Sequence, residues 1–248
     1  MDISVFGSTE ELGKNSALHA AGKIREALEE KGTANIILAT GTSQFNTIQN
    51  LVQYTDIDWS RIVMFHLDEY AGLPVTHPAS FRKYLKERFV AKVPALKGVH
   101  FIEGDAADPD AECERLSQII TGHPIDVALV GIGENGHLAF NDPPADFETD
   151  KPYIVVTLDE ECRRQQMGEG WFDSIDDVPE QAISMSVRHI MKSKQIICSV
   201  PEERKANAVR NCFEGPVTNQ NPASILQEHP SCSVYLDKKS SSLLSETG

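Results

Sequence analysis

The sequence has few cysteines, no long apolar run and no excess of positive charge. Its five cysteines are an odd number and no two have CxxC spacing, which favours reduced thiols over a disulfide framework. No apolar run approaches the ~20 residues that a membrane-spanning helix needs. The net charge is −14, and this argues against nucleic acid or an anionic membrane as the main partner, because both require a basic surface. A small anionic substrate needs only local positive groups and stays possible.

Targeting signals, repeats and low-complexity linkers are also missing. The first residues, MDISVFGSTEEL, have neither a basic n-region nor an apolar h-region, so we expect no signal peptide and a cytoplasmic protein. The 248 residues, 40% of them hydrophobic, are enough for one large domain with a sizeable core. We expect a single domain over residues 1–237, followed by a polar C-terminal tail over residues 238–248.

Short apolar runs alternate with amphipathic stretches along most of the chain. This alternation predicts an α/β fold, a single-domain, mainly parallel Rossmann-like sheet with helices on both faces. An edge segment is expected at residues 181–184. The clearest predicted strands are 35–39, 61–67, 125–130 and 194–200, and the clearest predicted helices are 9–31 and 109–121.

The most informative stretch is residues 125–144, IDVALVGIGENGHLAFNDPP. A predicted strand runs into a glycine-rich turn, and His137 follows at once. The glycines have the GxGxxG spacing of a dinucleotide-binding turn, but two prolines end any helix there after about two turns, which is too short to hold a pyrophosphate. We therefore expect no nicotinamide or flavin cofactor. Polar groups at the carboxyl end of such a strand lie where open α/β folds bind ligands.

A hydroxyl-rich loop follows another predicted strand and consists of Thr40, Gly41, Thr42 and Ser43. Gly41 allows close approach of a ligand to the backbone, and the free N–H groups and hydroxyls suit a phosphate. The alternative is an ordinary N-cap, in which Thr or Ser satisfies the first turn of the next helix.

Two adjacent carboxylates, Asp68 and Glu69, end a third predicted strand. In an extended backbone they point to opposite faces, so only one of them needs to face a cleft. A carboxylate at the mouth of an apolar strand is a candidate general base. The alternative is a loop cap or a salt bridge.

His137 is followed five residues later by Asp142, and a histidine oriented by a carboxylate is a usual acid–base pair. The alternative is a histidine that packs at a helix start.

Lys205 begins a predicted helix after a strand, where it is either a solvated charge or a phosphate ligand. A metal site could be built from His66, Asp68, His77 and His137, but no ligand-spacing motif supports it. We expect neither a metal nor another cofactor.

Four stretches together resemble the glucosamine-6-phosphate deaminase family, within the wider group of sugar-phosphate isomerases and 6-phosphogluconolactonases. DEYxGL followed by NGHLAFN is the most specific part of this resemblance. It implies an enzyme that converts glucosamine 6-phosphate and water to fructose 6-phosphate and ammonia without a redox cofactor. The matching stretches are LATGTS (38–43), FHLDEYAGLPVTHPASF (65–81), VGIGENGHLAFNDP (130–143) and VPEERKANAVRNCFEG (200–215), in the family's order.

The resemblance also implies roles for individual residues. Asp68 matches the base that moves a proton between carbons 1 and 2, and His137 matches the histidine that assists ring opening. Asn135 and Asp142 match the positions that flank and orient this histidine. The implied phosphate ligands are Thr40, Gly41, Thr42, Ser43 and Lys205.

The chain departs from the family pattern at three positions. Asn135 stands where many members have Asp, and Asp142 stands where Glu is usual, so that its reach is one methylene shorter. Gly170, within GEGWF, stands in place of an arginine that usually clamps the phosphate. The candidates to replace that arginine are Arg163, Arg164 and Arg188.

Two other functions stay open from sequence alone. One is a 6-phosphogluconolactonase-type hydrolase, whose central motif usually reads DGHTASLFP and is matched poorly by LAFNDPP. The other is a non-catalytic sugar-phosphate sensor, which would not need Asp68 and His137. The expected partner is a small sugar phosphate, and the sequence does not distinguish a monomer from a homo-oligomer.

Overall fold

The structure is a computed structural model that describes residues 1–168 and 170–245. The strands are β1 Asp2–Phe6, β2 Ala34–Leu38, β3 Ile62–His66, β4 Asp68–Tyr70, β5 Gly98–His100, β6 Val127–Val130, β7 Tyr153–Thr157, β8 Gln181–Met185, β9 Gln195–Val200 and β10 Cys232–Asp237. The α-helices are α1 Thr9–Lys31, α2 Phe45–Leu51, α3 Phe81–Arg88, α4 Pro109–Thr121, α5 Glu160–Gly168, α6 Val187–Ile190 and α7 Ala206–Phe213.

Seven strands form one parallel sheet in the order β1–β10–β9–β6–β2–β3–β5. The central strands of this sheet carry apolar side chains on both faces, because helices pack against both faces. The neighbours Ile36 and Ile37 are both fully buried, yet they pack into two different apolar clusters on opposite sides, as the alternation of side chains along a strand requires. One cluster contains residues of α1, α2 and α3, and the other contains residues of α4, α6 and α7. The predicted α/β fold class is confirmed.

The strand order reverses between β2 and β6. From β2 the chain adds β3 and β5 on one side, and it then returns to place β6, β9 and β10 on the other. At such a switch point the loops at the carboxyl ends of the two strands separate and leave a crevice. The loop Thr40–Ser43 leaves β2 there, and the glycine-rich turn leaves β6.

A second sheet has three antiparallel strands in the order β4–β8–β7. The edge position expected for residues 181–184 is wrong, since β8 is the middle strand of this sheet. Local pattern could not reveal it, because β4 is only three residues long, DEY, and pairs with a segment more than a hundred residues away in the sequence. The pairing of Asp68 with Ser184 holds the first carboxylate of DEY in extended conformation beside the crevice.

Helix α1 has the bounds that the sequence predicts. Ser8 caps it by accepting a hydrogen bond from the N–H of Glu11, and Gly32 ends it with φ of 79°, a left-handed conformation that glycine adopts at no steric cost. The short helix expected after the central glycines does not form. Leu138 and Asn141 instead close a tight turn as an isolated antiparallel bridge.

The described part of the C-terminal tail, residues 238–245, stays close to the domain. The backbone N–H groups of Lys239 and Ser240 donate to the carboxylate of Asp237 at 3.1 and 2.8 Å, and Ser240 is fully buried. Residues 246–248 of the expected tail lie outside the described residues, so the boundary at residue 237 stays a prediction.

All five cysteines are free and buried. In the ranges 1–168 and 170–245, no helix is both long and apolar enough to span a bilayer.

Candidate active site

A cleft opens at the carboxyl edge of the parallel sheet, above the reversal of strand order. This is the place where open α/β folds bind small molecules. Seven of the nine predicted site residues line the cleft, whereas Asn135 and Asp142 lie behind the ring of His137. The polar lining residues are Thr40, Gly41, Thr42, Ser43, Asp68, His137, Gln165, Gln166, Arg204 and Lys205.

The loop Thr40–Ser43 presents backbone and hydroxyl groups to this cleft. Gly41 has φ 88° and ψ 172°, a conformation that is essentially restricted to glycine. It precedes a short 3₁₀ turn, Thr42–Gln44, that has no side-chain cap. The hydroxyls therefore do not act as the ordinary N-cap that was the alternative interpretation. The buried Gln44 anchors the loop by donating to the carbonyl of Val130 at 3.2 Å.

The glycines of the central turn allow close packing around the cleft. A Cβ on Gly133 would lie 2.3 Å from atoms of the His137 ring, and a Cβ on Gly131 would lie 3.1 Å from Ser43 Oγ. Gly136 has φ of 81°. The GxGxxG spacing thus has a local explanation in the packing of His137 and of the loop after β2. Within residues 137–144 it is followed by a tight turn.

Asp68 and Glu69 point to opposite sides of β4, as extended backbone requires. Glu69 turns away from the cleft and accepts four hydrogen bonds: from the hydroxyl of Ser80 at 2.9 Å and from the backbone N–H groups of Tyr70, Phe81 and Arg82 at 2.7–3.1 Å. It caps the start of α3. Burial raises the pKa of Glu69 to about 7 against the lowering effect of these bonds.

Asp68 faces the cleft and is 7% exposed. Burial, and secondly the negative charge of Glu69, raise the pKa of Asp68 to about 8. A carboxyl group with such a pKa exchanges its proton near neutral pH, which is the property that general acid–base chemistry requires. The alternative role considered for this pair of carboxylates, a cap, is performed by Glu69 alone. Asp68 lines the cleft instead.

His137 is fixed from behind by Asn135 and Asp142. Its backbone N–H donates to Asn135 Oδ1 at 3.0 Å, and Asn135 Nδ2 donates to Asp142 Oδ1 at 3.1 Å. His137 Nδ1 lies 3.1 Å from the same Asp142 oxygen, although the direction of the ring N–H departs from hydrogen-bond geometry. The contact is therefore chiefly electrostatic. The shorter side chain of Asp142 still reaches His137.

Asp142 also contacts the next helix, since its Oδ2 accepts from the backbone N–H of Asp159 at 3.1 Å. Burial acts to raise the pKa of Asp142, but His137, Asn135 and the N–H of Asp159 outweigh it and hold that pKa below its usual value. The carboxylate is thus ionised behind the imidazole.

Lys205 is 4% exposed and lines the cleft, so it is not a solvated surface charge. It ends a short 3₁₀ turn, Glu203–Lys205, directly before α7. A buried lysine at a polar cleft in a chain of net charge −14 is a local positive site of the kind that an anionic ligand needs.

Arg204 also lines the cleft, and sequence reasoning missed it. Its Nη2 donates to Thr42 Oγ1 at 3.2 Å, its Nη1 lies 3.0 Å from Glu134 Oε1, and its Nε lies 2.6 Å from Glu202 Oε2. Glu202 has φ of 80°, an uncommon conformation for a residue with a side chain. The sequence feature that could have identified Arg204 is its position in PEERKA, directly before Lys205, the predicted phosphate ligand.

The three arginines proposed from sequence as a phosphate clamp do not line the cleft. Arg163 donates to the carbonyls of Ile175 and Val178 at 2.7 and 3.0 Å, and Arg164 pairs with Glu160 on the exposed face of α5. Arg188 lies 3.2 Å from Asp150 at the surface. Gly170 is exposed, with φ of 83°.

Helix α5 contributes two further lining residues that the sequence did not single out, Gln165 and Gln166. Gln165 Oε1 accepts from the N–H of Glu134 at 2.8 Å, and Gln166 Oε1 accepts from the hydroxyl of Tyr70 at 2.7 Å. The signal was weak, because a polar helical segment is usually a solvated face.

Two of the histidines considered for a metal site, His66 and His77, make hydrogen bonds through Nδ1 to backbone N–H groups. His66 Nδ1 accepts from the N–H of Ile102 at 3.4 Å, and His77 Nδ1 accepts from the N–H of Ala79 at 3.1 Å. They do not join Asp68 and His137 in a cluster of ligand atoms within the described ranges.

Comparison with known proteins gives one family over nearly the whole chain. Residues 7–234 match the family described as glucosamine-6-phosphate isomerases/6-phosphogluconolactonase. The glucosamine-6-phosphate deaminase of Oenococcus oeni is 38% identical over 236 residues, which cover 94% of this chain and 97% of that protein. The enzyme of the same name from Lactobacillus delbrueckii subsp. bulgaricus is 35% identical, with 98% and 100% covered.

Solved structures agree with this result. A monomeric glucosamine-6-phosphate deaminase superimposes with a TM-score of 0.89 at 34% identity, over 98% of this chain and 100% of that chain. The 6-phosphogluconolactonase of Trypanosoma brucei superimposes with a TM-score of 0.81 at 17% identity, over 98% of both chains. The second similarity shows a shared fold only.

Proposed function

The chain belongs to the glucosamine-6-phosphate isomerase/6-phosphogluconolactonase family, and within it we propose that the protein is an enzyme converting glucosamine 6-phosphate and water to fructose 6-phosphate and ammonia. The observation that carries this proposal is that Asp68 and His137 line one cleft together with the loop Thr40–Ser43 and Lys205. Relatives named as deaminases at 35–38% identity over almost the full chain support it. We also propose that the enzyme works in the cytoplasm, where its five buried free thiols would stay reduced.

The phosphate of the substrate is proposed to bind the loop after β2 and Lys205. The open conformation of Gly41 brings backbone N–H groups to the ligand, and Thr42 and Ser43 add hydroxyl donors. These contacts lie away from the reacting carbons, so they supply remote binding energy that positions the sugar for reaction.

Arg204 is proposed to act as the second basic phosphate ligand. Three observations support this role: its guanidinium lines the cleft, it contacts Thr42 of the phosphate loop, and Gly170 offers no charge in place of the family arginine. Glu202 and Glu134 hold the guanidinium from two sides, which reduces the rotamer freedom that would be lost on binding. A guanidinium also presents its N–H groups in a fork that matches phosphate oxygens.

Asp68 is proposed as the base that carries a proton between carbons 2 and 1. Abstraction of the proton on carbon 2, next to the carbonyl at carbon 1, needs one ionised carboxylate close to the carbon, and the same carboxyl group can return that proton to carbon 1. The oxygen on carbon 1 takes up a proton and the amino group on carbon 2 gives one up as it becomes an imine. The raised pKa makes Asp68 a stronger base than a solvent-exposed carboxylate. The ketimine that results is hydrolysed by water, which releases ammonia and leaves the 2-keto sugar.

His137 is proposed to shuttle the proton that opens the sugar ring. Its Nδ1 side faces Asp142, so the Nε2 side is available to the ring oxygen and the anomeric hydroxyl. Asp142 and Asn135 fix the orientation of the imidazole and stabilise its charged form during the transfer.

A 6-phosphogluconolactonase shares the fold but would need no base that removes a proton from a carbon atom. A sugar-phosphate sensor would need neither Asp68 nor His137. One assay set separates the three functions: ammonia and fructose 6-phosphate release from glucosamine 6-phosphate, acid release from 6-phosphogluconolactone, and binding of both compounds. Equimolar ammonia and fructose 6-phosphate are expected. Lactone hydrolysis alone, or binding without turnover of either compound, would contradict the proposal.

A further inference from the structure

Three possible metal ligands lie close together on the side of the His137 ring that faces away from the cleft. They are a ring nitrogen of His137, a carboxylate oxygen of Asp142 and the sulfur of Cys162, and these atoms lie within 4.8 Å of one another. The side chains of His137 and Asp142 are 9% and 6% exposed, and Cys162 is 1% exposed. Zinc bonds of ~2.0–2.3 Å place the ligand atoms of a tetrahedral site roughly 3.3–3.8 Å apart, so side-chain shifts of about 1 Å or less would bring these three atoms to the required spacing.

His137 Nδ1 provides the second observation. It is buried, has no well-directed hydrogen-bond partner, and lies 3.1 Å from Asp142 Oδ1 on the side of the cluster. Buried polar atoms are rarely left without a partner. Asp142 already accepts one hydrogen bond on each oxygen, from Asn135 and from the N–H of Asp159, but a carboxylate oxygen has a further lone pair to offer.

We propose that His137 Nδ1, a carboxylate oxygen of Asp142 and the sulfur of Cys162 form an inhibitory zinc site. On binding, the Cys162 thiol releases its proton to water and ligates as thiolate, the carboxylate ligates as an anion, and the neutral imidazole ligates through its Nδ1 lone pair. The two negative charges balance Zn²⁺, a water molecule takes the fourth position, and nothing is oxidised or reduced. Nitrogen and sulfur donors suit zinc and exclude magnesium or calcium, which require oxygen ligands.

Zinc at this position blocks the enzyme rather than assisting it. The metal occupies Nδ1 of the imidazole and the carboxylate oxygen of Asp142. Asp142 can then no longer orient His137 or stabilise its protonated form, so His137 cannot transfer a proton. The metal also joins Cys162 on α5 to Asp142 in the central turn, so it holds this helix against the turn after β6. The binding part of this proposal is independent of the substrate, whereas the inhibition part depends on the proposed function.

Binding is tested on the chelator-treated protein with Co²⁺ and Zn²⁺. Thiolate ligation of Co²⁺ gives a charge-transfer absorption band, and Zn²⁺ titration against a chromophoric chelator gives the stoichiometry. One ion per chain and the band are expected for the wild type and for Cys113→Ser, a matched control because Cys113 is a buried thiol on α4 outside the cluster. Loss of both is expected for Cys162→Ser. No band in the wild type, or equal binding by Cys162→Ser, would overturn the proposal.

Inhibition is tested with buffered free Zn²⁺, each variant being compared with its own metal-free activity. We expect the zinc concentration for half inhibition to rise at least tenfold in Cys162→Ser and to stay unchanged in Cys113→Ser, with no inhibition by Mg²⁺ at the same concentration. Equal zinc inhibition of the wild type and Cys162→Ser would contradict the inhibitory site. Absence of deaminase activity in the metal-free wild type would instead contradict the proposed function, and the cobalt band would still decide whether the zinc site exists.

Discussion

The guanidinium of Arg204 lies 3.2 Å from the hydroxyl of Thr42 and joins the turn before α7 to the loop after β2. These two loops leave strands β9 and β2, which lie on either side of β6 in the sheet. Arg204 therefore connects two walls of the cleft, and it adds a positive charge beside Lys205. A phosphate bound between these loops would meet both cations.

The first prediction concerns this arginine. A charge-assisted hydrogen bond to phosphate is worth about 1.5–3 kcal/mol, so Arg204→Ala is expected to lower kcat/KM for glucosamine 6-phosphate about tenfold or more, mainly through KM. Arg204→Lys keeps the charge but not the fork of donors, so partial recovery is expected. Arg164→Ala is the control, because Arg164 is exposed and pairs with Glu160. A wild-type KM for Arg204→Ala would contradict the assignment of Arg204 as a phosphate ligand.

Lys205 carries the second prediction. Because it is buried at the cleft, Lys205→Ala is expected to lower kcat/KM at least tenfold, at a cost of about 1.4 kcal/mol or more. This loss should exceed that of Arg163→Ala, Arg164→Ala or Arg188→Ala, whose side chains point to carbonyl groups or surface carboxylates. Thermal unfolding of each variant shows whether Arg163→Ala acts through stability instead. A larger catalytic loss in any of these three variants with unchanged Tm would contradict the assignment.

The third prediction concerns pH. The base must be ionised, and the pKa of Asp68 is raised to about 8. The active fraction therefore increases as pH rises through 8, and each pH unit below that value costs about tenfold in kcat/KM. The profile is measured from pH 6.5 to 9.5, above the second phosphate pKa of about 6, with the substrate's own amine titration subtracted. A profile that is flat between pH 6.5 and 8 would show that the free enzyme does not carry a base of this pKa.

Gly133 provides the fourth prediction. A Cβ at this position would lie 2.3 Å from the His137 ring, so Gly133→Ala is expected to displace the imidazole and to lower kcat by at least tenfold while the protein remains folded. A 1 Å displacement of a catalytic group can cost about 10² in rate. Gly22→Ala is the matched control, since a Cβ on Gly22 of α1 meets nothing within 4 Å. Full activity of Gly133→Ala would mean that the position of His137 is not constrained by this glycine.

Much of the fold follows from local sequence pattern. The bounds predicted for α1 and α4 agree with the structure to the residue. The structure shows why these helices end where they do: Ser8 caps α1 and Gly32 ends it, and Asp108 caps α4, which begins at Pro109. The gathering of the three strand-end motifs also follows from sequence, because the carboxyl ends of parallel strands share one edge.

Other features depend on contacts that a local pattern does not contain. The antiparallel sheet requires a three-residue strand, β4, to meet β8 far along the chain. The position of Arg204 depends on how the turn after β9 approaches Thr42, whereas the family pattern directs attention to the segment around Gly170. The proximity of Cys162 to Asp142 requires the actual placement of α5, since twenty residues separate them in sequence.

The central claim is that Asp68 is the base, and Asp68→Asn tests it most directly. An amide has nearly the same shape but cannot accept a proton from carbon, so most of the general-base contribution of about 10²–10⁴ should be lost. The measurement is kcat for ammonia release together with the Kd of the product fructose 6-phosphate, which is not converted in the absence of ammonia, by calorimetry on the wild type and on Asp68→Asn with matching Tm. We predict that kcat falls by two to four orders of magnitude while Kd stays close to the wild-type value. Turnover near the wild-type rate, or a loss explained entirely by weaker binding, would contradict the account.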